Sequence, residues 1–229
     1  MANFKRIMLF LSDLAENNNK EWYHLHIDER KEAETEFEFF VEYLEKKILK
    51  FDKSISYYPP KKLTFKQVKD TRFIKEKSLY NPVFRAHIAP NGKQPIPVGY
   101  YICLGANNRS FIGGGLFADI FSDATHVIRD YIYDHEEEFY KIISDKVFKE
   151  NFSVMGKKLK KVPKAYNSDS LTAEYLKNKN WYLEYRITDK EITDNENITD
   201  LIIGKFKIIK KFNDFLNFAL VNFKMPERK

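Results

Sequence analysis

The spacing of the apolar residues changes twice along this chain, and that order constrains the fold more than any other feature. From Phe4 to Phe51 apolar residues recur every three or four positions. Stretches of two-residue alternation follow, and helical spacing returns from Ile198 to Phe223. Helices placed before and after a block of strands are typical of an α+β fold rather than of alternating βαβ units. We therefore predict an antiparallel sheet, built as a meander, packed against segregated N- and C-terminal helices.

The N-terminal part is predicted to hold two helices. The first covers Phe4 to Ala15, and the second begins near Lys20 and keeps one apolar face as far as Phe51. His26 and Glu29 interrupt that face. A break or a bend is therefore expected in the front half of the second helix.

The strands are predicted from alternation with a period of two residues. Turn signals at Asn91-Gly92 and around Asn107-Asn108 separate the central segments and favour hairpin connections. The predicted strands are Lys62–Val68, Val83–Ala89, Val98–Leu104, Ser110–Phe117 and Trp181–Thr188.

A further helix is predicted from Asp119 to about Ser144, between the fourth and fifth strands. The pattern assigns its buried face to six residues, namely Ile120, Ala124, Val127, Tyr131, His135 and Phe139.

Composition favours one domain that spans residues 1–229. Hydrophobic residues make up 43% of the chain, and no repeat or linker divides it. The single cysteine, Cys103, excludes an internal disulfide and any multi-cysteine metal site. A chain without disulfides fits a reducing compartment, so a cytoplasmic location is expected. No apolar run approaches the length of a membrane span, and no membrane partner is expected.

The charge of the chain is mildly basic and mixed in sign. There are 39 Lys and Arg residues against 33 Asp and Glu residues, which gives a net charge of +6. Nucleic-acid binders usually concentrate their cations in a patch or stripe, so a nucleic-acid partner is not expected. A protein partner is left open. No cofactor and no metal site are predicted, because no zinc-binding, nucleophile-elbow or dinucleotide motif is present.

The densest group of candidate binding residues lies between the first two predicted strands and on the second. Guanidinium and ammonium groups beside hydroxyl groups are what a phosphate or a carboxylate needs, because Arg offers a planar fork and Lys a mobile charge. The predicted ligand-binding residues are Arg72, Lys75, Lys77, Tyr80 and Arg85. A solvated segment neutralised by Asp70 and Glu76 is the alternative for these charges.

Three more residues are assigned to a possible pocket wall. Glu21 and Trp22 would form it if the first two helices cover the sheet at that point. Gly114 belongs to the run Gly113-Gly114-Gly115, where glycine lets a backbone approach a ligand closely. The alternative for the glycine run is a bulge or close packing within a strand.

Four stretches of the chain, in order, resemble a bacterial family known as domain of unknown function 2461. They are Asn18–Tyr23, Lys69–Asn81, Gly113–Gly115 and Leu159–Tyr166. The second is the most specific, although Asn81 stands where the family has a cation. The resemblance implies a one-domain fold and draws attention to the charged segment, but it supplies no substrate.

The sequence therefore predicts a protein that binds a small anionic ligand, with Arg72 as the clamp. Whether it is an enzyme stays open. An interaction module that contacts a protein or a nucleic acid through the same cations is the alternative, and a purely structural role for the charged segment is the third possibility.

Overall fold

The strands form a five-stranded antiparallel sheet whose order in space follows their order in the chain. The computed structural model describes residues 2–69 and 79–226. Each strand pairs with its sequence neighbours in the order β1-β2-β3-β4-β5, which confirms the predicted meander. The strands are β1 (Thr64–Phe65), β2 (Val83–Ile88), β3 (Tyr100–Gly105), β4 (Ser110–Leu116) and β5 (Trp181–Ile187).

Helices precede, follow and interrupt this sheet in the chain, so the α+β class is confirmed. The helices in the described residues are α1 (Phe4–Glu16), α2 (Lys20–Leu25), α3 (Ile27–Phe51), α4 (Pro60–Leu63), α5 (Ser122–Asp134), α6 (Glu136–Ser144), α7 (Lys146–Asn151), α8 (Ala173–Leu176), α9 (Asp189–Asp194) and α10 (Ile198–Ala219).

One face of the sheet, which we call the covered face, packs against α1, α3 and α10. Phe84 of β2 stacks on Phe37 of α3, with 5.3 Å between the ring centroids. Tyr100 of β3 lies 5.0 Å from the ring of Phe206 on α10. These residues are almost fully buried, so the covered face forms part of the hydrophobic core.

Neighbouring strand residues point to the opposite face, which we call the outer face. Its side chains follow from the strand register. One row across the sheet runs from Phe65 through Arg85, Cys103 and Phe111 to Arg186. The next row runs His87, Tyr101, Gly113 and Glu184.

The break predicted in the second helix is confirmed at His26, which separates α2 from α3. The predicted strand from Lys62 to Val68 is largely wrong. Pro60 begins a short helix instead, because proline is well suited to the first turn, and only Thr64–Phe65 pairs as a regular strand.

The predicted buried face of the helix after β4 is only partly correct: Ala124 and Phe139 are buried as predicted. Ile120 is 79% exposed and His135 is exposed, whereas Ile128 is fully buried. The cause is Arg129, which lies in the core and donates hydrogen bonds to the carbonyl oxygens of Leu176 (2.7 Å) and Asn178 (2.8 Å). A hydrophobicity pattern assigns arginine to solvent. The pattern therefore placed the side of the helix that carries Arg129 on the surface, although that side is buried.

Candidate functional site

Two distant segments of the chain meet beside the edge of the sheet, at Asn18 and Tyr80. The Asn18 side chain donates to the Tyr80 carbonyl at 2.9 Å and accepts from the Tyr80 backbone N–H at 3.0 Å. Both backbone polar groups of Tyr80 are thus satisfied by one amide, as they would be by a neighbouring strand. Asn19 has a different task, since its side chain caps α2 by accepting from the backbone N–H of Trp22.

Aromatic stacking reinforces this junction. The rings of Tyr23 and Tyr80 lie 3.6 Å apart between centroids and are inclined by 14°. The Tyr23 hydroxyl donates to the side chain of Gln67 at 3.4 Å, and the guanidinium of Arg30 lies 4.5 Å from the Tyr23 ring. Tyr80 is only 6% exposed, so its ring serves as an anchor between α2 and the sheet.

The residues on either side of positions 70–78 pair with each other in an antiparallel arrangement. Lys69 donates its N–H to the Leu79 carbonyl at 3.0 Å, and Asn81 donates to the Gln67 carbonyl at 2.7 Å. An antiparallel bridge joins Val68 to Tyr80 between them. The sequence-predicted residues Arg72, Lys75 and Lys77 lie outside the described residues.

Arg30 brings a partly buried charge to the same junction. Its Nε lies 3.6 Å from a carboxylate oxygen of Glu34, and within the described residues that buried Nε has no hydrogen-bond partner. Burial raises the pKa of Glu34, and the positive charge of Arg30 acts against that rise. Burial raises the pKa of Tyr23 as well, again opposed by Arg30.

Arg85 lies on the outer face, where it shares an aromatic platform with a second cation. The Arg85 guanidinium carbon is 5.5 Å from the centroid of the Phe65 ring, and the Lys93 ammonium nitrogen is 5.6 Å from the same centroid. Lys93 also donates to the Thr64 carbonyl at 2.8 Å. Both cations lie within the distance at which a ring face attracts positive charge, so Phe65 helps to hold them together.

The middle of the outer face is rich in aromatic rings. Tyr101 lies 5.0 Å from Phe117 between centroids, and Phe117 stacks on Tyr182 at 4.6 Å. Gly113 makes room for this arrangement, because an added Cβ there would meet Phe117 at 3.0 Å and the Leu183 carbonyl oxygen at 2.1 Å. Glycine in this strand therefore serves close packing, as the alternative interpretation of the glycine run predicted.

Burial sets the protonation of the titratable groups on the outer face. It lowers the pKa of His87 to about 4 and raises that of the Cys103 thiol to about 11, so near neutral pH the imidazole is neutral and the thiol stays protonated. Burial also raises the pKa of Tyr101, opposed by the charge of Arg85, and raises that of Glu184, opposed by Arg186. At neutral pH the donors near Phe65 on this face include Arg85, Lys93 and the Tyr101 phenol.

The three residues assigned to a pocket wall lie in different surroundings. Glu21 is exposed on α2, and Trp22 stacks on His26 at 4.1 Å between ring centroids. Gly114 faces α10, where an added Cβ would lie 2.3 Å from Ile209 and 2.9 Å from the Asn213 side chain. The space beside Gly114 is therefore filled by protein.

Sequence reasoning missed Asn18, Tyr23, Arg30 and Lys93 as members of the site. Asn18 and Tyr23 belong to a stretch that carries the family resemblance, which was the available signal for them. Lys93 directly follows the turn Asn91-Gly92, but nothing in the sequence indicates that it joins Arg85 over one ring.

Residues 2–69 and 79–226 hold no helix that is long and apolar enough to cross a membrane. They also hold no group of three or more His, Cys, Asp or Glu side chains placed to bind a metal ion.

The chain is thus an α+β protein with an antiparallel meander and a junction built from two of the stretches that carry the resemblance. It belongs to the family of conserved hypothetical proteins named domain of unknown function 2461, whose model matches residues 6–215. No curated protein and no solved structure matched the chain.

Proposed function

We propose that this protein binds a small ligand bearing a phosphate or a carboxylate, at the edge of the outer face where Arg85 and Lys93 flank Phe65. One observation carries the proposal. Two cations share one aromatic ring, and within the described part of the chain no carboxylate lies within ion-pair distance of either. Two positive charges held together without a neutralising partner favour an anion between them.

The geometry supports different roles for the two cations. Arg85 projects from a strand paired on both sides, so its guanidinium is well placed to act as a bidentate clamp. The Lys93 ammonium is anchored by the Thr64 carbonyl and adds charge. Tyr101, in the next row of the outer face, contributes a phenol that is protonated at neutral pH and can donate a hydrogen bond.

The charged segment between β1 and β2 is part of the proposal as a source of further cations. The hydrogen bond between Lys69 and Leu79 belongs to the same β1–β2 edge as Arg85. We propose that Arg72, Lys75 and Lys77 add charge to the ligand site, with Arg72 as a second clamp. The proposed compartment is a bacterial cytoplasm, in keeping with the single buried thiol of Cys103.

A thermal-shift screen tests the proposal. Inorganic phosphate, sulfate, citrate, a nucleoside monophosphate and a sugar phosphate are added to wild type, Arg85→Gln, Lys93→Gln and Arg72→Ala. A ligand at a hundred times its Kd stabilises the folded state by about 2.7 kcal/mol, which a melting curve resolves. We expect at least one anion to stabilise wild type and to lose that effect in Arg85→Gln and Lys93→Gln.

Arg186→Gln is the matched control, because Arg186 lies on the same face at the far strand and its side chain is 71% exposed. Stabilisation that survives Arg85→Gln, or that disappears equally in Arg186→Gln, would contradict the proposed site. Titration with a single-stranded oligonucleotide at several salt concentrations examines the alternative of a nucleic-acid partner. Binding that weakens steeply with salt would favour that alternative.

A further inference from the structure

A half-open groove of about 720 Å³ lies in the helical layer, between α6, α7 and α10. It is separated from Arg85 by the sheet, because α10 packs on the covered face and Arg85 lies on the outer face. Small-molecule sites usually measure about 300–1,000 Å³ and are lined mainly by apolar groups. The groove has the size and the lining of such a site.

The apolar lining of the groove is only partly covered by the protein itself. Phe218 is 66% exposed and Val147 is 51% exposed, although both border a groove whose floor contains the buried rings of Phe148 and Phe215. An apolar ligand that covers exposed apolar groups beside a concave apolar floor removes them from water, which lowers the free energy of the complex.

The charges on the rim are unbalanced once Asp214, which Lys210 neutralises, is set aside. Asp145 caps α7 by accepting from the backbone N–H of Phe148 at 3.0 Å. Asp214 accepts two hydrogen bonds from Lys210, at 2.8 and 2.6 Å.

Three lysines, Lys141, Lys207 and Lys211, then remain on the rim against two carboxylates, because the capping hydrogen bond leaves the charge of Asp145 in place beside that of Glu138. Within residues 2–69 and 79–226 none of the three forms an ion pair. The rim therefore presents an excess of positive charge next to an apolar floor.

We infer that this groove binds an amphiphilic anion, namely a carboxylate with an unbranched alkyl chain. The chain would lie along Phe215 and Phe218, and the carboxylate would meet Lys207 and Lys211, which stand one turn apart on α10. Apolar lining alone would accept any alkyl chain, so the lysines supply the selectivity for a negative head group. This site differs from the proposed anion site, because the sheet lies between the groove and Arg85.

Isothermal titration calorimetry on the full chain tests the inference with decanoate, below its micellar concentration. Decyltrimethylammonium has a chain of the same length with a positive head group, and acetate supplies the head group alone. We expect decanoate to bind at least about tenfold more tightly than decyltrimethylammonium, since the head-group charge is reversed beside the lysines. Acetate alone is expected to give no measurable heat.

Two variants locate the binding in the groove. Lys207→Gln combined with Lys211→Gln should lower the affinity for decanoate about fivefold, as expected for the loss of two exposed charges. The double variant should also reduce the difference in affinity between decanoate and decyltrimethylammonium. Phe218→Ser should lower the affinity for both amphiphiles about tenfold, because an apolar contact is lost. All three side chains are exposed, so the variants should fold.

Phe39→Ser is the matched control, because Phe39 is 50% exposed on α3 and does not line the groove. The inference is overturned if decanoate fails to bind, or if it binds equally to wild type and the groove variants. It is also overturned if Phe218→Ser only converts a dimer to a monomer, measured by light scattering, because the groove would then be covered by a second copy.

Discussion

Tyr100 and Tyr101 are neighbours on β3, yet they lie on faces of the sheet with different chemistry. Tyr100 is fully buried under α10, and its hydroxyl donates to the Asp52 carboxylate at 2.7 Å. Tyr101 is half-buried on the outer face beside Arg85. The covered face holds polar groups that are satisfied within the protein, whereas the outer face holds Arg85 and Lys93, which have no carboxylate partner among the described residues. The alternation of a strand thus separates residues that stabilise the fold from residues available to a ligand.

The largest expected effect is on the covered face, at Gly114. Gly114→Ala should lower the free energy of unfolding by about 3 kcal/mol, because the added methyl group would overlap Ile209 and press on Asn213. Asn213 cannot easily move, since it bonds both Gly99 and Gly115. Urea denaturation measures the loss.

Gly204→Ala is the control for that substitution. A Cβ at Gly204, in the middle of α10, would meet nothing within 4 Å. Because alanine favours a helix over glycine by about 1 kcal/mol, this variant should be slightly more stable than wild type. Equal losses at both glycines would mean that the packing of α10 on the sheet is not as tight as described.

On the outer face, His87 should make the free energy of unfolding depend on pH. Burial lowers the pKa of His87 from 6.5 to about 4, so between these values the unfolded chain takes up a proton that the folded protein does not. The free energy of unfolding should therefore fall by about 3 kcal/mol more in wild type than in His87→Gln as the pH drops from 6.5 to 4.

Denaturation curves at a series of pH values measure this difference. His126→Gln is the control, because His126 is exposed on α5, and it should keep the pH profile of wild type. A His87→Gln profile parallel to that of wild type would mean that His87 is not buried as a neutral group.

The paired tyrosines give the sharpest comparison of the two faces. Tyr100→Phe should cost about 2 kcal/mol, because the Asp52 carboxylate loses the hydrogen bond that the Tyr100 hydroxyl donates to it inside the core. Tyr101→Phe should change stability by less than about 0.5 kcal/mol, since its hydroxyl lies on the half-exposed face. Thermal unfolding of both variants decides the matter, and equal costs would contradict the division between the faces.

A smaller loss of stability than at Tyr100 is expected at the junction around Asn18. Asn18→Ala should cost about 1.5 kcal/mol, because the buried backbone of Tyr80 loses both of its partners. Asn17→Ala removes a single exposed hydrogen bond to the Asp13 carbonyl and should cost less than about 0.5 kcal/mol. Chemical denaturation of the two variants gives the comparison, and a cost at Asn17 as large as at Asn18 would count against the junction.

Periodicity was enough to predict the sheet order and most of the helices, because each depends on local spacing. The break at His26 was visible as an interruption of one apolar face. Arg129 shows where this reasoning fails, since its burial depends on the carbonyl groups of Leu176 and Asn178, far along the chain. No local pattern contains that information.

The candidate site was predicted in part. Arg85 and Tyr80 could be chosen from residue type, but their surroundings could not be predicted. The bond between Asn18 and Tyr80 spans 62 positions in the chain, and spacing alone cannot indicate such a contact. The family resemblance pointed to both segments without showing that they meet.

The most direct test of the central claim is an NMR titration that follows the arginine Nε–H resonances while phosphate, citrate or a nucleoside monophosphate is added. The Arg85 resonance is assigned by its loss in Arg85→Lys. We predict that it shifts in a saturable way with at least one of these anions, while the Arg186 resonance stays in place. An Arg85 resonance that does not move with any anion at millimolar concentration would contradict anion binding at the outer face.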